Sequence, residues 1–138
     1  MKLGIIGCGN LGSALVKGVL ESEFDTDGHV LISTRKQQIP SKLEGLNVTV
    51  LPNKELTNNA DVIVLCVLPN QIDAVLDEIK SEVDGSKLVV STVTGVEISQ
   101  IKNRLGNDQL QVVRAMPNTA IAVKESMTCI AFSPDVKE

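Results

Sequence analysis

The 138-residue chain contains no tryptophan and no tyrosine, and phenylalanine only at Phe24 and Phe132. Its core must therefore be aliphatic, and no aromatic platform exists on which single-stranded bases would stack. Histidine is almost missing as well. His29, the single copy, stands directly before an apolar run and reads as a strand-edge residue, not as a general base or ligand. Cys8, Cys66 and Cys129 are odd in number and widely spaced, which fits neither a disulfide framework nor a metal knuckle. They read as reduced, small core residues, and no metal site is expected. Lysine and arginine number 13 against 17 acids, a net charge of −4 without a basic block, so neither nucleic acid nor a membrane surface is an expected partner. No apolar run approaches a bilayer span, and the N-terminus enters a strand without the flanks of a signal peptide. The expectation is a soluble, cytoplasmic protein of one domain, residues 1–138.

What is present begins at the N-terminus. The apolar run Leu3-Gly4-Ile5-Ile6 stops at Gly7, Gly9 and Gly12, spaced G-x-G-x-x-G, and an amphipathic segment follows at once. Strand, tight turn, helix is the order of a dinucleotide site. Gly7 would permit the turn, Gly9 would let a pyrophosphate approach bare backbone, and Gly12 would let the helix lie close to the strand. The phosphates would meet N–H groups at the positive end of a helix beginning near Asn10. Leu11, Ala14, Leu15, Gly18 and Val19 give that helix one apolar face, and Val30-Leu31-Ile32-Ser33-Thr34 follows as a second strand. Sites that hold an unphosphorylated ribose usually put a carboxylate at the end of that strand. Here the residues are Ser33, Thr34, Arg35 and Lys36, two hydroxyls and two cations, which suit a 2′-phosphate. The expected cofactor is NADP rather than NAD.

The remaining chain alternates strands and helices. Residues 37–45 contain Pro40 and support at most a short helix; residues 48–51 form a peripheral third strand, and Asn53 is placed to cap a short helix over 54–58. Residues 62–68, the most apolar run, read as the central strand. A helix over 71–82 follows with Asn70 as its cap, then a strand over 88–91, a helix over 97–105 stopped at Gly106, and a strand over 110–115. A last strand over 127–132 is antiparallel if it joins the sheet, and Pro134 and Asp135 look like the start of a further helix. This order predicts an α/β fold: a Rossmann-type, doubly wound, mostly parallel sheet with helices on both faces, its ligand outside the carboxyl ends of the strands. Loops 7–12, 33–36, 68–71, 92–95 and 116–119 then meet at one edge.

Arg114-Ala115-Met116-Pro117-Asn118-Thr119 is more specific than a fold. Taken with Ile6-Gly7-Cys8-Gly9-Asn10-Leu11-Gly12, Val67-Leu68-Pro69 and Val90-Ser91-Thr92-Val93-Thr94-Gly95, it resembles the nucleotide-binding domain of pyrroline-5-carboxylate reductases, over nearly the whole chain. The Met-Pro-Asn-Thr segment discriminates most, since many dehydrogenases share the glycine loop alone. The resemblance implies NAD(P)H-dependent reduction of the cyclic imine 1-pyrroline-5-carboxylate to L-proline, in proline biosynthesis. It implies that Ile6, Gly7, Cys8, Gly9, Asn10 and Leu11 carry the pyrophosphate, Ser33 and Arg35 the adenosine side, and Asn53 a further cofactor contact. Cys66, Val67, Leu68 and Pro69, with Thr92, Val93 and Thr94, match loops that flank the cofactor towards its nicotinamide, and Asn118 and Thr119 would sit near the reacting ring. No catalytic acid or base is assigned, because hydride transfer to a C=N carbon asks mainly for orientation and a dry pocket.

Two positions depart from the family pattern. Leu68 stands where lysine is common, and Ala120 where proline usually follows Met-Pro-Asn-Thr. The family also carries a C-terminal helical domain that dimerises and supplies much of the substrate pocket. On this likeness the 138 residues are the cofactor half, poorly active alone, of a homo-oligomer acting on a small-molecule imine. Competing readings are another NADP-dependent reductase, resembling the F420-dependent NADP oxidoreductases or the β-hydroxyacid dehydrogenases, and a non-catalytic NADP-binding regulatory module, which Leu68 favours. A purely structural domain gives no reason for the three glycines to occur with the hydroxyl and cation cluster.

Overall fold

The apolar runs separated by helical segments pair side by side. Among the described residues seven strands form one sheet: β1 (Leu3–Ile6), β2 (Val30–Ser33), β3 (Val48–Val50), β4 (Val62–Leu65), β5 (Leu88–Ser91), β6 (Gln111–Pro117) and β7 (Thr128–Phe132), in the order β3-β2-β1-β4-β5-β6-β7. The computed structural model describes all residues except Asp25, Lys137 and Glu138, and the side chains of Thr119 and Ala122. Strands β1 to β6 are parallel, and β7 returns antiparallel to β6, with Val113 opposite Phe132 and Pro117 opposite Thr128. The helices are α1 (Asn10–Leu20), α2 (Asn53–Asn59), α3 (Ile72–Ile79) and α4 (Ile98–Leu105), with 3-10 turns at Ser41–Leu43 and Thr119–Val123. None of the described helices is long and apolar enough to cross a membrane.

Alternation along the strands divides the core in two. Leu3, Ile5, Ile32 and Val64 point to a cluster that includes Val16 of α1 and Leu43 of the first 3-10 turn. Ile6, Ile63, Leu65, Val89 and Val112 point the other way, to Leu56 of α2, Val75, Leu76 and Ile79 of α3, and Ile101 and Leu105 of α4. Helices thus cover both faces, and β4 has no polar side because it feeds both clusters. Phe24 and Phe132 are both exposed, which leaves the core aliphatic as expected. Helix α4 starts and stops as the sequence signals: Glu97 and Gln100 form a reciprocal capping box, and Gly106 ends the helix at φ 71°.

Several expected details are corrected. Strand β4 stops at Leu65 instead of Leu68, and Leu68 belongs to the turn that follows: the Gln71 amide donates to the Leu68 carbonyl at 2.9 Å and the Leu68 amide to Gln71 Oε1 at 3.2 Å. Asn53 does not cap α2. Pro52 holds that position without a side-chain bond, and Asn53, the first helical residue, donates its Nδ2 to Glu78 Oε2 at 2.8 Å. Asn70 does not cap α3 either; Gln71 stands at the cap, and the helix runs only over Ile72–Ile79. Cys129 is exposed on β7, so the packed-thiol reading holds for Cys8 and Cys66 alone. Residues 133–136 form a turn closed by the Val136 amide on the Ser133 carbonyl, and Lys137 and Glu138 lie outside the described residues.

Candidate dinucleotide site

Because β1, β2, β4, β5 and β6 run parallel, the loops that follow them open on one edge, and the strand order reverses between β1 and β4. A crevice at that reversal is where such sheets bind ligands. Backbone bonds lace its floor. The Gly7 amide donates to the Ser33 carbonyl at 3.0 Å, the Cys66 amide to Ile6 at 2.8 Å, and the Thr92 amide to Leu65 at 3.0 Å.

Each glycine of the loop has its own reason. Gly7 sits at φ +95°, and a Cβ there would lie 2.8 Å from the Cys66 backbone. A Cβ on Gly12 would meet the Gly7 carbonyl oxygen at 2.0 Å, so α1 approaches β1 only because the side chain is absent. A Cβ on Gly9 would meet nothing within 4 Å. That side of the loop faces open space. Helix α1 begins there with no acid in its first turn and no side-chain cap, and its first backbone bond runs from the Ser13 amide to the Gly9 carbonyl. The amides of Asn10, Leu11 and Gly12 precede that bond and form a positive helix end suited to an anion. Ser13, which sequence reasoning passed over, fixes the loop by donating its buried hydroxyl to the Cys8 carbonyl at 3.0 Å. Its position one residue past the last glycine was the available signal.

After β2, Ser33 is buried, Thr34 is half-buried, and Arg35 and Lys36 are exposed. Thr34 shapes its own turn: its hydroxyl donates to the Gln38 carbonyl at 3.0 Å and accepts from the Gln38 amide at 3.2 Å. Lys42, in the 3-10 turn that follows, donates its Nζ to Asn10 Oδ1 and so joins this segment to the glycine loop. Nothing in the spacing of residues 37–45 pointed to it. Asn53 is tied to the last turn of α3 by its bond to Glu78.

The loops after β4, β5 and β6 contribute differently. Cys66 and Val67 are half-buried, whereas Leu68 is 62% exposed and Pro69 is exposed. Thr92 directs its hydroxyl inward, to the Leu65 carbonyl at 3.0 Å and to Cys66 Sγ at 3.4 Å. Val93 is buried in the core, and Thr94 is exposed beside Gly95. Asn118 caps the second 3-10 turn by accepting the Ala120 amide at 3.1 Å, while the Thr119 side chain lies outside the described residues. Arg114 donates an Nη2 bond to Met116 Sδ at 3.9 Å, and its buried Nε has no partner among the described residues. Burial pushes the Cys8 thiol up to about 12, helped by Cys66 beside it, and burial pushes Cys66 up to about 11 against the bond from Thr92. Both stay protonated near neutral pH and line the loop as small apolar groups, not as nucleophiles.

A family model described as NADP oxidoreductase, coenzyme F420-dependent, matches residues 2–95, a stretch that includes the glycine loop and both cations after β2. The chain belongs to that family. The expected likeness to pyrroline-5-carboxylate reductases also stands. The chain is 38% identical over 130 residues to pyrroline-5-carboxylate reductase 1 of Dictyostelium discoideum, covering 93% of this chain and 23% of that protein. The solved pyrroline-5-carboxylate reductase of Coxiella burnetii matches with a TM-score of 0.88 at 30% identity, over 99% of this chain and 51% of its own. The Plasmodium falciparum pyrroline carboxylate reductase, solved with NADP bound, gives 0.84 at 26% identity, over 99% and 50%. The chain therefore spans about half the length of these solved relatives. Within this NADP oxidoreductase family, Arg114 to Asn118 lie beyond the matched stretch, in a part that the likeness to the solved reductases still covers.

Proposed function

We propose that this chain is the NADP-binding half of a pyrroline-5-carboxylate reductase. The cofactor reading is carried by the open space beside Gly9, in a loop whose other two glycines are each closed in by backbone. When bound, NADPH would supply a hydride to the C=N carbon of the cyclic imine, whose nitrogen carries a proton taken from solvent, giving L-proline. The loop from Ile6 to Gly12 would hold the pyrophosphate on its amides. Arg35 and Lys36, with no acid following until Glu44, would hold the 2′-phosphate beside Ser33 and Thr34. Cys66 to Pro69 and Thr92 to Thr94 would wall the nicotinamide side, Asn118 and Thr119 would stand near the reacting ring, and Asn53 would add its carbonyl as a further contact. These residues bind, orient and exclude water, and none is asked to move a proton.

In the whole protein a second, helical domain would complete the imine pocket and join two copies, a division supported by relatives about twice this length. The cytoplasmic location expected from the sequence belongs to the same proposal. The family description raises an F420-dependent reaction as a second reading. It rests on residues 2–95 alone, whereas likeness to the reductases also takes in Arg114-Ala115-Met116-Pro117-Asn118. Incubating the isolated chain with NADPH and 1-pyrroline-5-carboxylate tests the division of labour. Nucleotide binding with proline formed far below the rates usual for enzymes is expected; proline at an ordinary enzymatic rate would refute it. A full-length protein that ignores this imine and reduces another imine or a hydroxyacid would refute the substrate.

A further inference from the structure

Strand β7 is the last strand of the sheet, and its outer edge meets no other strand among the described residues. It is exposed along its whole length, Ile130 by 63% and Phe132 by 68%. Sheet edges are ordinarily blunted by proline, by charge or by shortness, and the opposite edge strand, β3, has only three residues. Strand β7 has five, and neither a charge nor a proline occurs from Ser126 to Ser133. Pairing with β6 decides which of its backbone groups face outward. The Ser133 amide donates to the Val112 carbonyl at 2.9 Å, and an antiparallel ladder alternates bonded and unbonded pairs. Arg114 with Ala131 and Met116 with Cys129 are therefore the bonded pairs, whereas Val113 with Phe132, Ala115 with Ile130 and Pro117 with Thr128 are unbonded. Pro117, which has no N–H to give, stands in an unbonded pair. The N–H and C=O groups of Thr128, Ile130 and Phe132 consequently turn to the free edge.

We propose that β7 is a self-association edge: a second copy of this chain adds its own β7 antiparallel across a two-fold axis at Ile130, continuing the sheet from one copy into the other. The strand is its own complement in this register. An axis at Ile130 sets Ile130 against Ile130 and Thr128 against Phe132, so the outward N–H and C=O groups of these residues are all answered. Moving the axis to Cys129 leaves Phe132 without a partner in the strand, and moving it to Ala131 leaves Thr128 without one. The paired side chains share a face with Val113 and Ala115 of β6, so the apolar surface becomes continuous across the axis. No charges meet within the paired strands. The axis uses up both β7 edges, so association closes at a dimer. Strands β5 and β6 lie between this edge and the crevice at β1 and β4, which stays open. The contact needs neither the cofactor reading nor the helical domain proposed above.

The test is sedimentation equilibrium of the 138-residue chain and of its Ile130→Lys and Ala131→Cys variants. The wild-type chain should pass from monomer to dimer with a dissociation constant of about 10–100 µM, the weak end expected of a small interface. Ile130→Lys, which sets two ammonium groups against each other on the axis, should weaken the dimer at least about tenfold and leave the urea midpoint of the dilute monomer close to that of the wild type. In Ala131→Cys the new thiol stands directly opposite Cys129 of the second copy, a spacing that suits a disulfide, so oxidised glutathione should convert this variant to a covalent, thiol-reversible dimer. The wild type should cross-link far more slowly, since the axis holds its two Cys129 side chains about two residues out of register. A wild-type chain that stays monomeric at about 1 mM overturns the proposal. Cross-linking of the wild type as fast as of Ala131→Cys places the axis elsewhere and overturns it too, as does a folded Ile130→Lys chain that dimerises like the wild type.

Discussion

At Gly12 a methyl group would meet the Gly7 carbonyl oxygen at 2.0 Å, whereas at Gly9 it would meet nothing within 4 Å. The two positions therefore separate folding from binding. Gly12→Ala should destabilise the chain by about 1–3 kcal/mol in urea unfolding, because backbone has to move to admit it. Gly9→Val should leave the unfolding midpoint nearly unchanged, since φ −71° suits any residue, and should weaken NADPH binding roughly tenfold or more by filling the space left for the pyrophosphate. The close approach at Gly12 and the bare backbone at Gly9 were both legible in the G-x-G-x-x-G spacing. Gly4 was not: a Cβ there would lie 2.5 Å from Leu56 Cδ2, a constraint that exists only once α2 has packed on β1. Thr92 and Thr34 were legible as polar residues at strand ends, yet their hydroxyls serve the loops themselves, a distinction that depends on turn geometry and not on residue type.

Helix α2 has only seven residues, too few to stand alone, and its C-terminal carbonyls are met from elsewhere. The buried Lys87, just before β5, donates its Nζ to the Asn58 carbonyl at 3.2 Å and to the Ala60 carbonyl at 2.9 Å. Lys87→Met should keep the aliphatic packing and lose about 1–3 kcal/mol of stability in urea unfolding, because the carbonyls lose a charged donor. Among the described residues the sequence pattern located the four α-helices and the seven strands, erred at several of their ends, and missed the 3-10 turn over Thr119–Val123. The strong local signals at Glu97 and Gly106 held, since cap and stop lie in one contiguous segment. Asn53 and Asn70 failed as caps because a proline at the cap position of α2 and the Gln71-bonded turn before α3 settle those starts differently. The return of β7 against β6 was legible as a strand. Its antiparallel direction was expected too, and what the pattern did not show is the buried Ser133 beyond it, which accepts the Val112 amide at 3.2 Å and donates to the Leu110 carbonyl at 3.3 Å.

For the molecule as a whole, pH acts from both sides. Bonds from Lys124, Arg104, Ser86 and Lys102 hold the carboxyls of Glu21, Asp77, Asp84 and Asp135 respectively below their ordinary values. Their contribution is complete above the ordinary carboxylate range near about 4 and is lost as pH falls through and below it. These groups are exposed, so the acid loss should be small and reduced by salt. Cys8 and Cys66 are raised from 9.0 to about 12 and about 11, so their contribution is complete below 9.0 and is lost as pH rises towards those values. The urea midpoint should be flat between roughly pH 5 and 9, and Cys8→Ala should soften the alkaline fall. A midpoint that declines steadily across neutral pH would contradict this. The same scale holds the central claim, that six parallel strands gather a glycine loop and a cluster of cations at one edge to take NADP. Paired calorimetric titrations of the chain with NADPH and NADH test it most directly: NADPH should bind at least roughly tenfold more tightly, with the gap narrowed in Arg35→Ala, and equal affinities or no binding of either nucleotide would contradict it.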